Sequence, residues 1–391
     1  METSRNYRLP GIDLLDAAAS PTPDRKETAA RRALMQRTLD DFKLPGKVVR
    51  TSVGASVTRF EIQPEPGVRL SRFEEISPVL AERFSAAAVR FAVSHSGKGR
   101  FGFEIPNEHP RTVKLRDVFD SPAWRSETLQ LPIAIGTDLE RAPVILDLAR
   151  APYVLIAGED EKEKNSCLDT FIMSLLFRFT PDEWNFVLMD SPCGHLAKYR
   201  DLPHSLVPLG DGAAARDLFR WLKEEIDRRY RVLAEAHTKN IYGFNRQAGD
   251  SAKMPYIVAV VDELAEWRSG RGKSEIEMAI INICAFGRAA GIHLVVGTCF
   301  PSAKTLSFMI GASFSAHICF KVTSGIDCFR VMQFRDGAER LCGNGDMLLD
   351  GPEYTKRIYY PMRVQAASAT DDEIRRVIEF ARGQNKTICQ E

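Results

Sequence analysis

The sequence predicts an α/β protein: a mostly parallel sheet with helices on both faces, preceded by a small α/β domain. Three observations carry that reading. From about residue 118 onward, short and fully apolar runs alternate with longer helical segments, the pattern of parallel strands buried on both sides. Before that point the strand-like stretches alternate apolar with polar residues, as a strand with one wet face does. A chain of 391 residues, at roughly 100–200 per domain, suffices for two or three domains with a sizeable core.

Residues 1–30 are turn-rich and polar, with Pro10, Pro21 and Pro23, and read as an extended arm and linker. Thr28 to Phe42 has helical spacing, with Ala30, Leu34, Leu39 and Phe42 able to line one face. Lys47–Pro64 alternates like a strand, with Val57, Phe60 and Ile62 amid polar residues, and Pro64–Gly67 is a turn. Phe73–Ala88 is helical again, with Ile76, Leu80 and Phe84 at i, i+4 and i+8. Val89–Ala92 and Phe101–Ile105 read as strands, and Pro106–Pro110 breaks the pattern. The small domain then spans residues 31–117 and the larger one 118–391. The larger domain takes its strands from Tyr153–Ala157, Phe186–Met189, Tyr256–Val261, Leu294–Gly297, Ile318–Val322 and Met347–Leu349. Its long helices include Ser166–Phe179 and Ala213–Ala236.

Composition excludes several classes of function. Lys and Arg number 53 against 52 Asp and Glu, a net charge of +1, so the whole surface is no polycation, although a local basic lining is allowed. No apolar run approaches the roughly 18–20 residues of a membrane-spanning helix, and Met1–Pro10 has no signal-peptide core. The eight cysteines all follow residue 166 and form no CxxC pair, which removes support for a zinc knuckle or a thioredoxin-type site. Reduced thiols in a cytoplasmic protein are the default.

In a sheet of this kind, ligands bind beyond the carboxyl ends of the strands. Three such ends are informative. Tyr153-Val-Leu-Ile-Ala-Gly158 is followed by Glu-Asp-Glu-Lys-Glu-Lys-Asn165 and a helix, the setting of a phosphate-binding loop. The spacing from Gly158 to Lys164 matches GxxxxGK, but Glu163 replaces the second glycine and Asn165 the Ser or Thr that would hold Mg²⁺. The plainer reading is a helix start whose acids face the positive end of the helix dipole. Tyr256–Val261 ends in Asp262-Glu263, the pattern in which an Asp orients Mg²⁺ and a Glu polarises water; a buried strand with a capped acidic turn would look the same. The third end, Gly291–Pro301, offers Thr298 as a polar side chain that could sense a phosphate, beside Cys299, a poor hydrogen-bonding substitute. His293, inside that apolar run, reads as a satisfied core histidine.

The order and wording of these segments resemble the FtsK/SpoIIIE family of double-stranded DNA translocases, from about Tyr7 to Ala381. Tyr7–Leu15, Val57-Thr-Arg-Phe-Glu61, Leu131–Asp138, Leu202-Pro-His204, Asp227-Arg-Arg-Tyr230, Val261–Ala265, Arg288–Leu294 and Gly343-Asn-Gly-Asp-Met-Leu348 fit in sequence. The resemblance implies a RecA-like P-loop NTPase domain, a hexameric ring around duplex DNA, and ATP with Mg²⁺ at sites between subunits. It implies that Gly158, Lys164, Asn165, Asp262 and Thr298 contact nucleotide and that Asp262 and Asn165 hold the metal. Glu263 would be catalytic, and Arg288 would reach a neighbour's nucleotide; a surface arginine in a salt bridge is the plain alternative. Against larger members, the chain reads as the bare motor core, with neither a membrane-spanning region nor a winged-helix module.

The departures matter as much. The family's Gly- and Ser-rich loop is here acidic, and each carboxylate about 5 Å from a phosphate costs roughly 1–3 kcal/mol. The lysine expected after Asp190 is absent, and Thr298-Cys-Phe-Pro301 replaces Thr-Gln-Arg-Pro. Positions that build the fold survive while phosphate-handling ones decay. Two functions follow as expectations: a DNA translocase core with weakened or lost ATP hydrolysis, or a non-catalytic DNA-binding or ring-forming partner of an active relative. Lys304 and Arg335 are candidate phosphate contacts to DNA, each as readily a solvated side chain.

Overall fold

The computed structural model describes residues 7–17, 25–93, 99–190, 194–207, 212–249, 252–268, 273–333, 337–354 and 361–388. The alternating stretch from Lys47 to Pro64 is a hairpin of two strands: Gly54, Ala55 and Ser56 turn the chain, with the Gly54 amide bonded to the Val57 carbonyl at 2.9 Å. Strands β1 (Gly46–Val53), β2 (Val57–Pro64), β3 (Arg90–Val93) and β4 (Phe101–Pro106) make an antiparallel sheet in the order β1-β2-β4-β3. Helix α1 (Arg25–Asp41) packs on it, beginning three residues before the expected Thr28. The helix expected over Phe73–Ala88 is two short ones, α2 (Ser71–Glu74) and α3 (Ser77–Arg83). Pro78 sits in the first turn of the second, and the chain leaves it through Ser85 at φ 50°. Phe60, Phe73, Phe84, Phe91, Phe101 and Phe103 fill this core, ring centroids 4.7–5.8 Å apart.

The second sheet has eleven strands. In chain order they are β5 (Val113–Lys114), β6 (Pro132–Asp138), β7 (Pro143–Asp147), β8 (Tyr153–Ala157), β9 (Trp184–Met189), β10 (Ser205–Val207), β11 (Tyr256–Val261), β12 (Ile292–Thr298), β13 (Ala316–Cys319), β14 (Asp346–Asp350) and β15 (Met362–Ser368). Their order is β10-β9-β11-β12-β8-β13-β14-β15-β6-β7, with β5 beside β15. The first six run parallel; they contain four of the six apolar runs and the first two residues of a fifth, Ile318–Val322, since β13 ends at Cys319; β14, β15, β6 and β7 are antiparallel, so the sheet is mixed. Helices α4 (Leu115–Phe119), α5 (Glu161–Leu176) and α12 (Asp371–Ile388) cover one face. The other carries α6 (Gly212–Glu235), α9 (Lys273–Ala290), α10 (Phe308–Ser313) and α11 (Gly325–Met332). Two short helices, α7 (Ile241–Gln247) and α8 (Leu264–Trp267), lie at either end of β11 in the chain. Among the described residues no helix is long and apolar enough to cross a membrane.

Buried histidines make the fold acid-sensitive. His204 is fully buried beside the rings of Tyr7, Trp184 and Phe186. Burial lowers its pKa to about 4, against the opposing pull of the Phe179 carbonyl. The imidazole is neutral in the fold and must be charged on acidification. Its contribution is therefore complete above about pH 6.5 and falls by about 3 kcal/mol as pH drops through 4. Urea denaturation at several pH values should show this slope reduced in His204→Gln; an unchanged slope would refute the assignment. His293 is buried too, and burial lowers its pKa to about 3, so it stays neutral in the core, the core histidine the sequence predicts.

Candidate nucleotide site

Parallel pairing brings the informative strand ends together. Ala157, the last residue of β8, pairs with Thr298 of β12 on one side and Cys319 of β13 on the other. On the far side of β12, Val261 of β11 pairs with Val296. Gly158, Asp262, Glu263 and Thr298 thus converge at one edge of the sheet, as the strand-end rule requires.

The segment after β8 is more helical than its spacing suggested. Helix α5 begins at Glu161, five residues before the expected Ser166, and carries Glu163, Lys164 and Asn165 inside its first turns. Asp160 caps it, its Oδ1 accepting from the Lys162 amide at 2.8 Å. The Gly158 amide bonds the Thr298 carbonyl at 3.3 Å, and the Glu159 amide bonds the Lys321 carbonyl at 2.9 Å. Three backbone donors between the strand end and the first helical turn are therefore occupied within the chain. Gly158 has a packing reason of its own: a Cβ there would lie 2.6 Å from the Phe320 Cβ.

Two further acids of this segment are tied down individually. Glu159 Oε2 accepts from the Thr323 hydroxyl at 2.9 Å. Glu163 Oε1 accepts from the Gly345 amide at 2.7 Å. That amide is presented by Gly343, Asn344 and Gly345, three consecutive residues with φ of 73°, 55° and 83°, a turn that favours glycine and asparagine. Burial raises the Glu163 carboxyl above its ordinary pKa, opposed by the Gly345 hydrogen bond. The sequence reading missed this loop as part of the site, although Gly343-Asn-Gly is itself a turn signal.

Lys164 points inward. It is 1 % exposed, and its Nζ donates to Asp262 Oδ1 at 2.5 Å and to the Asp262 carbonyl at 2.9 Å. Glu263 is held by three donors: the Thr298 hydroxyl at 2.6 Å and the Ala265 amide at 2.9 Å on Oε1, and the Cys299 amide at 2.7 Å on Oε2. Thr298 in turn accepts from the Phe300 amide at 3.1 Å. Burial pushes the Cys299 thiol up to about 12, so it stays protonated and un-nucleophilic at neutral pH. Partial burial and the carboxylates of Glu263 and Asp262 raise the Glu266 carboxyl, a fourth acidic neighbour that the sequence reading did not single out.

The remaining candidates lie elsewhere. Arg288 is exposed near the carboxyl end of α9, just before β12 starts, whereas Thr298 closes that strand. A strand of this length, at about 3.3 Å per residue, keeps Arg288 roughly 20 Å from its own chain's site. Lys304 is exposed, and Arg335 lies outside the described residues, as do Ser191 and Pro192 after Asp190.

Comparison with known proteins gives this arrangement a lineage. The FtsK/SpoIIIE family profile matches residues 114–303 and the FtsK alpha domain matches residues 9–107. The DNA translocase FtsK of Haemophilus influenzae is 34% identical over 408 residues, covering 97% of this chain and 76% of that protein. The chain belongs to the FtsK/SpoIIIE family. The DNA translocase SftA of Bacillus subtilis is 34% identical over 390 residues, covering 98% of this chain and 40% of its own, and FtsK of Clostridium tetani is 34% identical with 96% and 51% covered. The chain thus spans about half the length of several curated FtsK relatives it matches. Among solved structures, the conjugation coupling protein TcpA of pCW3, a monomer form with ATPγS, aligns with a TM-score of 0.61 at 19% identity over 90% of this chain and 99% of TcpA. The cytoplasmic domain of the type VII secretion ATPase EccC of Thermomonospora curvata aligns at 0.59 and 20% identity over 70% of this chain and 35% of EccC. These two likenesses establish the P-loop ATPase motor fold expected from the sequence.

Whether this FtsK/SpoIIIE chain suits the nucleotide of that fold can be tested on its own atoms. Asp262 Oδ2 and Asn165 Oδ1 are buried oxygens with no hydrogen-bond partner among the described residues, and such oxygens suit Mg²⁺. The triphosphate does not fit beside them. The amides of Gly158, Glu159 and Lys162 are engaged, the glycine of the cradle is a carboxylate, and the lysine that would meet the phosphates is neutralised by Asp262.

Proposed function

We propose that this chain is an FtsK/SpoIIIE-like double-stranded DNA translocase motor core in which ATP hydrolysis is weakened or lost. A small domain of residues 31–117 would precede the motor domain of residues 118–391, and the protein would act in the cytoplasm as a ring, a hexamer by family precedent. The observation that supports the loss is the helix start at Glu161, which puts Glu163 where a cradle needs glycine. Mg-ATP titration by calorimetry should give no binding at micromolar concentration. Glu163→Gly combined with Asn165→Ser should strengthen binding by roughly 5- to 150-fold, since removing one carboxylate returns about 1–3 kcal/mol. Micromolar binding by the unaltered chain, or hydrolysis stimulated by duplex DNA, would overturn the loss.

A second reading is favoured by Arg288. Exposed and remote from its own site, it is free to serve an active relative in a mixed ring, where arginines supplied from a neighbour stabilise transferring phosphate. In that case Arg288→Ala would lower the ATPase rate of the mixed ring by roughly 10³-fold or more without altering co-purification. An unaffected rate would remove the reading.

A further inference from the structure

Among the described residues, the three most exposed large apolar side chains are Phe308 at 69 %, Phe300 at 63 % and Met309 at 59 %. All three stand on one connection, from β12 to β13, which leaves the sheet at the edge where the candidate site lies. The chain around them is fixed. The Phe300 amide donates to the Thr298 hydroxyl at 3.1 Å, and the Ser302 carbonyl accepts from the amides of Thr305 at 3.0 Å and Leu306 at 2.8 Å. Ser307 caps α10, its hydroxyl accepting from the Ile310 amide at 3.2 Å. Leu306 and Ile310 take the inward side and are buried, which leaves Phe308 and Met309 facing outward. Rings turned to water on a braced segment are pre-organised for a partner, because little further ordering is needed to bind one.

The charge along this part of the chain has one sign. Between Glu277 and Asp327 the sequence has no Asp or Glu, in a chain with 52 of them, yet it has Arg288, Lys304 and Lys321. The two acids that bound the run are engaged. Glu277 meets Arg268 at 2.6 Å and accepts from the Ser307 hydroxyl; Asp327 meets Arg330 at 3.1 Å and accepts from the Ser324 hydroxyl at 2.7 Å. From Thr298 to Phe314 the one charged residue is Lys304, exposed and midway in sequence between Phe300 and Phe308. Cations without anions suit a polyanion, and rings beside them suit the faces of nucleobases. A protein partner would not require that one sign of charge be excluded over so long a run. A closed duplex hides its base faces in its own stack, and a ring can enter only by unstacking a step. An unpaired base offers its face without that cost. One lysine gives little hold on a duplex backbone, so the rings decide which strands are gripped.

We propose that Phe300 and Phe308 stack on unpaired bases of DNA, with Lys304 on a phosphate between them, so that this chain grips a single strand more tightly than closed duplex. The inference rests on the DNA reading given above and adds to it the state of the strands. The grip asks nothing of the phosphate seat and should operate without ATP.

Fluorescence anisotropy of the full chain with labelled oligo-dT, and with a blunt duplex of equal length, tests this in the absence of nucleotide. The single strand should bind more tightly. Phe300→Ala and Phe308→Ala should each weaken strand binding by roughly 5- to 150-fold, the loss of one base stack, and leave duplex binding unchanged. Lys304→Ala should lower the slope of log affinity against log salt for the strand by about 0.7, which neither phenylalanine variant should alter. Phe308→Trp should keep the affinity and Phe308→Leu should lose it, which separates stacking from mere apolar contact. Leu70→Ala, an exposed apolar position on the small domain, should change nothing. These side chains are exposed, so circular dichroism should be unaltered. Strand binding indifferent to both alanine variants, or kept by leucine as well as tryptophan, would overturn the stack while leaving the DNA reading in place. Duplex bound as tightly as strand would overturn the preference. Binding of neither by the unaltered chain would remove the DNA reading itself, and the stack with it.

Discussion

Replacing Lys164 by alanine is expected to lower the unfolding free energy by about 3–5 kcal/mol, the loss that follows when one partner of a buried ion pair is removed. In a motor poised for substrate, the loop lysine awaits a phosphate and its removal would cost activity more than stability. Here the ammonium is 1 % exposed and touches both the carboxylate and the carbonyl of Asp262. Without it, Asp262 would be a buried anion with no counter-charge, at the end of a central strand. Gly297 shows how closely the pair is packed: a Cβ there would fall 2.4 Å from the Asp262 carbonyl and 3.1 Å from the Lys164 Cδ. Guanidinium denaturation of Lys164→Ala measures the effect. Lys164→Met combined with Asp262→Leu should recover most of it, because two apolar groups leave no charge behind. A loss below about 1 kcal/mol in the single variant would mean that the pair is not the brace described, since exposed ion pairs give values in that range.

The strands at the centre of the large sheet were legible because water reaches neither of their faces. Tyr153–Ala157 and Tyr256–Val261 coincide with β8 and β11 residue for residue. Of the antiparallel half only β14 was legible, as the run Met347–Leu349. On β15, Arg363 and Gln365 point to one side, two residues apart, and meet the other sheet: Arg363 reaches Glu104 at 2.7 Å and Gln365 accepts from the Ser56 hydroxyl. A strand that buries charge against another sheet does not carry an apolar signature. At the candidate site, Asp262, Glu263 and Thr298 were legible as polar residues ending apolar strands. The early start of α5 matches the plainer of the two readings of this segment, a helix start faced by acids, and Asp160 followed by Glu163 three residues later is a helix-start signal. The GxxxxGK spacing drew attention to a loop where the acids were marking a cap. The turn at Gly343–Gly345 lies 182 residues from Glu163, and only the folded sheet brings the two together.

Arg363→Met is expected to destabilise the chain by about 3–5 kcal/mol and to change its response to acid. Arg363 is 4 % exposed. It grips Asp346 of β14 with two hydrogen bonds, Nε to Oδ1 at 2.8 Å and Nη2 to Oδ2 at 2.6 Å, and reaches Glu104 of β4 through Nη1 at 2.7 Å. Arg90 of β3 joins the same Glu104 oxygen at 2.9 Å. Burial alone would raise the Glu104 carboxyl; the guanidinium groups of Arg90, Arg363 and Arg59 outweigh it and hold the group far below the usual carboxylate range. The folded-state pKa is depressed, so the stabilisation is present above the unfolded value near 4 and is lost as pH falls below it. Removing Arg363 lets the Glu104 pKa climb back, so the variant should be weaker at pH 7 yet lose less on passing from pH 5 to pH 3. The sign separates a buried charge cluster from simple loss of packing, which would lower stability equally at every pH. Denaturation curves at pH 7, 5 and 3 for the two proteins decide it; parallel pH profiles would refute the cluster as the link between the sheets. The effect should extend to the candidate site, because Asp346 directly follows Gly345, whose amide holds Glu163. Hydrogen exchange at the Gly345 amide should therefore quicken in Arg363→Met, at pH 7 and without any nucleotide present.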